Sequence, residues 1–227
     1  MNERLLRPRL CPVFNEDVLY LFYGGPFYRR TFSPTEDTAE LPIAFVFHPS
    51  VLQRVKRYYP FDTGAAASGR FGASATRSLG DFKNRFPVLG SNDATVPRKL
   101  VQYLYGSNGR YLRGMPEVEA ANRPQPFPDL HAFLSANLTP DGVDHRQCTI
   151  ECHYLEPLPL DMTLLAVALP EMMTDVLATY CETTNHVPEL LLYPSHRIFR
   201  PGEVVAQIQE QARLVIDRFV EIPKARP

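Results

Sequence analysis

Three groups of residues in this chain have the types and spacing that chemistry needs. The first is Asp62, in the stretch YYPFDTGA (58–65), which reads like a loop whose aspartate activates water for peptide hydrolysis. That chemistry takes two carboxylates sharing one proton. The chain carries one Asp-Thr-Gly, preceded by the charged RVKRYY and by Pro60 where an apolar strand is needed. Asp62 is therefore expected to form a turn, bonding the backbone two residues on, with Gly64 supplying a positive φ. The second group is His145, Cys148, Cys152 and His153. A zinc ion would need them to converge tetrahedrally, but on a strand Cys148 and Cys152 share a face and His153 points to the other. Small buried thiols are the better reading, and no metal is expected. The third is Glu151, a carboxylate in the middle of the strand-like QCTIECHY (147–154). Strand alternation puts Thr149, Glu151 and His153 on one face and Cys148, Ile150 and Cys152 on the other. Such a carboxylate is either solvent-facing, on a sheet wet on one side, or functional.

The elements that must position these groups are punctuated by the chain's 22 prolines. VLYLFY (18–23), closed by Gly24-Gly25-Pro26, predicts a buried strand and a turn. PIAFVF (42–47) predicts a second strand, and Ser50 then caps a helix over VLQRVKRYY. From Gly64 to Gly80 small residues predominate, so a functional loop is expected. RKLVQYLYG reads as a helix after Thr95-Val96-Pro97, and residues 115–128 read as an insertion or linker. Further on, QCTIECHY and TLLAVAL (163–169) are strands, Pro170-Glu171 opens another helix, and Gly202 to Ile222 is an amphipathic helix. Strands bracketed by helices without regular alternation predict an α+β fold. We expect a single domain over residues 1–227 with a mixed, mainly antiparallel sheet, flanking helices and a C-terminal amphipathic helix.

Composition narrows the classes of function. The chain has 227 residues, 44% hydrophobic and 22% charged, with a formal net charge of −1. This is ordinary for a globular protein able to bury a core, and it supplies no global attraction to nucleic acid or membrane. Arg54, Lys56, Arg57 and Arg70 make a modest basic cluster, expected on a solvated helix face. No run approaches the ~18 apolar residues of a membrane helix. Glu16 and Asp17 interrupt the N-terminal apolar stretch, so the segment is expected to be mature, cytoplasmic protein. Four scattered cysteines fit a reducing compartment.

The segment DHRQCTIECHYLEPLPLDMTLLAVALPEMM (144–173) resembles the last part of ADP-ribosyltransferase-like domains, especially the branch of DNA-targeting toxins. In that family a basic residue precedes a strand bearing the catalytic glutamate, a proline-containing loop follows, and a second apolar strand runs alongside. The resemblance implies that Glu151 is that glutamate and that Arg146 is its basic flank. It also implies NAD as a substrate, held by Tyr23, Tyr28, Arg29, Asp62 and Arg146, and a macromolecular acceptor, nucleic acid or protein. A toxin or defence effector of this kind would meet a neutralising or partner protein. The opening strand lacks the family's His, and no Ser-Thr-Ser stretch follows.

A different class also accounts for the pattern. Tyr20, Phe22, Tyr23, Phe27 and Tyr28 are aromatics of the kind that anchor interfaces, so a non-catalytic interaction module using the N-terminal hairpin is the alternative.

Overall fold

Alternation and β-branched or aromatic content produce nine strands among the described residues of the computed structural model, which are 4–25, 40–71, 93–117, 145–161, 163–175, 187–195 and 204–221. In chain order they are β1 (Leu5–Leu6), β2 (Arg9–Cys11), β3 (Glu16–Tyr23), β4 (Ala44–Phe47), β5 (Arg57–Tyr59), β6 (Ile150–Tyr154), β7 (Leu158–Pro159), β8 (Leu164–Pro170) and β9 (Glu189–Tyr193). The helices are α1 (Thr63–Ala67), α2 (Val96–Tyr105), α3 (Asn108–Tyr111) and α4 (Val205–Glu221). The fold is α+β, with mainly antiparallel sheets and a C-terminal helix, as the sequence pattern predicts. No helix among the described residues is long and apolar enough to cross a membrane.

The chain's contacts group into two compact units. The first, built from residues 1–5, 24–51 and 159–227, holds the sheet β4-β8-β9. β8 is antiparallel to β4 and parallel to β9. Period-two alternation sends Ala166 and Ala168 to one face, where Leu191, Tyr193, Val204, Ile208 and Val215 close over them. Leu164, Val167 and Leu169 pack with Phe47, Leu160 and Met173. The 3.6-residue spacing of Val204, Ile208, Ala212 and Val215 makes one buried stripe along α4. Pro170 leads into a 3-10 turn at Glu171–Met173 followed by helical Thr174 and Asp175, and the part of the expected helix beyond Asp175 lies outside the described residues.

The second unit, residues 6–23 and 52–158, holds the antiparallel sheet β2-β3-β6-β5. Gly24, at φ 80°, ends β3 in a conformation that favours glycine. On one face, α2 contributes Val101, Leu104 and Tyr105 to the core. Tyr105 donates its hydroxyl to the Cys148 carbonyl, and Tyr111 from α3 donates to the Tyr23 carbonyl and accepts from the Ile150 amide. α2 begins with Pro97 in its first turn and ends at Gly106, φ 72°, whose amide reaches back to the Val101 carbonyl.

The helix expected over VLQRVKRYY is corrected by the structure. Pro49–Arg54 makes a 3-10 helix and the chain then extends into β5. The reason is tertiary: Arg57, Tyr58 and Tyr59 pair with His153, Cys152 and Glu151 of β6. In a strand the two tyrosines leave on opposite faces, which lets Tyr58 (0% exposed) and Tyr59 (2%) both be buried. Arg57 thereby leaves the expected solvated face and turns inward.

Candidate functional site

β6 lies between β3 and β5, so its backbone is bonded on both sides and all five of its residues are buried. The solvent-facing reading of Glu151 is thus corrected: the residue is 1% exposed, and His153 on the same face is 0% exposed. A buried carboxylate is stable only if its oxygens find donors. Glu151 finds three. The Thr63 amide donates to Oε2 at 3.1 Å, the Thr63 hydroxyl lies 2.5 Å from Oε1, and His153 Nε2 lies 2.5 Å from the same oxygen.

Arg57 sets the chemistry of His153. A guanidinium only donates, and Arg57 Nε lies 2.8 Å from His153 Nδ1. Nδ1 must therefore accept, Nε2 must carry the proton, and His153 donates to Glu151 as a neutral ring. Arg57 is held from behind by Glu16, to which its Nη2 donates, and by Phe14, whose ring lies under the guanidinium at 4.4 Å. The rings of Phe14, Tyr20 and Tyr59 surround His153 at 4.8, 5.0 and 5.1 Å. Glu16, Arg57, His153, Glu151 and Thr63 thus form one chain of polar contacts through an aromatic setting.

Burial governs protonation here. It pushes the Glu151 carboxyl up to about 8, against the opposing pull of the Thr63 bonds and the Arg57 charge. Burial, with Arg57 adding to it, pushes His153 down to about 3. At neutral pH, Glu151 therefore holds a proton that His153, whose Nδ1 is taken by Arg57, cannot accept. Burial, a hydrogen bond to Cys11 and the Glu151 charge also raise Tyr20. Burial takes the Cys148 thiol up to about 11, which makes it unreactive.

The residues singled out from the sequence separate into three groups. Asp62 and Arg146 sit beside Glu151: the Asp62 amide donates to the Arg146 carbonyl at 2.9 Å, and the next residue, Thr63, holds Glu151. Asp62 is a helix cap rather than the expected two-residue turn. Its Oδ1 accepts from the Ala65 amide at 2.7 Å, three residues on, and Gly64 lies within α1. Accordingly, the expected small-residue loop opens as a helix; its later part, 72–80, lies outside the described residues. Tyr23 is on the other face of the sheet from Glu151, because β3 places Phe22 opposite Glu151 and Tyr23 opposite Ile150. Tyr28, Arg29, and residues 118–128 of the expected insertion lie outside the described residues.

Thr63, Arg57, Glu16 and Tyr20 complete the site; the sequence pattern offers Tyr20 as an interface aromatic and Arg57 as part of a basic cluster, and marks none of the four as a partner of Glu151. Alternation alone pairs Glu151 with His153. The arrival of Thr63 and Arg57, 88 and 96 residues away from their partners, has no local signal. No family model, curated protein or solved structure matches the chain.

Proposed function

We propose that the chain is an NAD-dependent ADP-ribosyltransferase-like enzyme acting in the cytosol on a macromolecular acceptor, nucleic acid or protein, as a toxin or defence effector would. The observation that carries this reading is Glu151: a carboxylate on a central strand, shielded from water, strongly perturbed by burial, and ringed by donors. In transfer, a ribose hydroxyl takes the donor place that the Thr63 hydroxyl fills. Glu151 gives its proton to water as the ligand enters; the bond from C1′ to the nicotinamide nitrogen then breaks, nicotinamide leaves with the electron pair, and the Glu151 carboxylate steadies the oxocarbenium-like ribose. An acceptor nucleophile then attacks C1′ and passes its proton to the Glu151 carboxylate. Tyr20 and Phe22, half-buried on the same face as Glu151, offer aromatic surface for the ligand.

Glu151→Gln keeps an oxygen for the Thr63 amide and removes the carboxylate, so NAD cleavage should be abolished while the thermal transition persists. Unchanged NAD cleavage in that variant sinks the proposal. The half-buried Tyr20, Phe22 and Tyr23 favour the second reading, a non-catalytic interaction module. A thermal midpoint that rises with NAD concentration selects the enzyme, and one indifferent to NAD selects the module.

A further inference from the structure

The groups that face Glu151 and His153 are Thr63 from α1, Glu16, Tyr20 and Phe22 from β3, Arg57 and Tyr59 from β5, and Phe14 from the turn before β3. Among the described residues, only Arg57 addresses the outer nitrogen of the imidazole. We infer that Arg57 is a positioning residue acting through His153: by filling Nδ1 with a donor, it makes His153 a permanent donor to Glu151 and keeps the site's exchangeable proton on the carboxyl. Protonated on both nitrogens, the ring would turn an N–H toward the Arg57 N–H, donor against donor, beside a positive charge and away from water. The proton leaving Glu151 therefore does not pass to the imidazole. The anchoring of Arg57 by Glu16 and Phe14 keeps the guanidinium in place when the site is occupied.

As a statement about transfer chemistry this rests on the NAD reading; as a statement about the imidazole it does not. The test is a nitrogen-15 NMR titration of the His153 ring in the full chain, between about pH 5 and 8, where an ordinary histidine changes charge. In the wild type the ring should stay neutral with the proton on Nε2 throughout. Arg57→Met removes donor and charge, so the ring should titrate inside that window, taking the proton from Glu151. Arg57→Lys restores a group that only donates and should return the ring to the neutral form. Should Arg57→Met not fold, Arg57→Gln takes its place, since an amide can turn its oxygen toward a protonated Nδ1. A ring that stays neutral when the donor is removed overturns the inference. The pH profile of NAD cleavage should shift in Arg57→Met and recover in Arg57→Lys. A wild type that never cleaves NAD removes the transferase reading and leaves the titration result standing.

Discussion

The central strands of the two sheets, β8 and β6, are both shut off from water, yet they are filled in opposite ways. β8 reads LLAVALP and meets apolar side chains on both faces. β6 reads IECHY, with Ile150, Cys152 and Tyr154 alternating with an acid and an imidazole. Each leucine or valine side chain fully buried from β8 contributes about 1.5–3 kcal/mol without needing a partner. Burying Glu151 and His153 gives no such return: an uncompensated buried charge costs several kcal/mol, so every oxygen and nitrogen must be matched. The difference is one of tolerance. The β4-β8-β9 sheet needs volume and shape, whereas β6 needs particular atoms brought from β3, β5 and α1.

Protonation should separate the two sheets most. A carboxyl whose folded value is raised from 4.5 to about 8 contributes stability that is complete below 4.5 and lost as pH rises through about 8. His153, lowered from 6.5 to about 3, contributes stability present above 6.5 and lost as pH falls toward 3. Urea unfolding of wild type and Glu151→Gln across this range should therefore diverge: the wild type loses stability between pH 4.5 and about 8 and the variant loses less. Parallel curves would place Glu151 outside the pH response and undo the contrast.

Truncation in the helix packed on the apolar sheet comes next. Ile208→Ala, at a position 3% exposed, should cost about 2–5 kcal/mol in chemical denaturation, with the pH dependence of stability retained. In the polar network, Thr63→Val keeps the shape and the amide but removes the hydroxyl from Glu151, which should cost about 1–3 kcal/mol. The carbon-13 titration of the Glu151 carboxyl should then move further up, because a bond to the ionised form is gone. A neutral effect of Thr63→Val on both measures would mean that the hydroxyl is a bystander. The smallest effect is expected at the rim: Asp62→Ala loses one cap to the Ala65 amide and should cost about 0.5–2 kcal/mol in thermal stability.

The sequence by itself determined the elements with strong local patterns. The strands ending at Tyr23, Phe47 and Leu169 or Pro170, the helix over RKLVQYLY and the C-terminal amphipathic helix follow from periodicity, proline and glycine. So does the shared face of Glu151 and His153, since alternation is a property of any extended strand. Only the tertiary structure decided that Arg57–Tyr59 is a strand, because the β6 ladder and the burial of two tyrosines outweigh a helical pattern in the residues themselves. It also decided that Glu151 is buried rather than wet: that depends on α1 bringing Thr63, and β5 bringing Arg57, across separations of 88 and 96 residues. Tyr23 shows the same division from the other side. Its place in a strand is legible locally, but the β3–β6 register, which puts it across the sheet from Glu151, is set by pairing between distant segments.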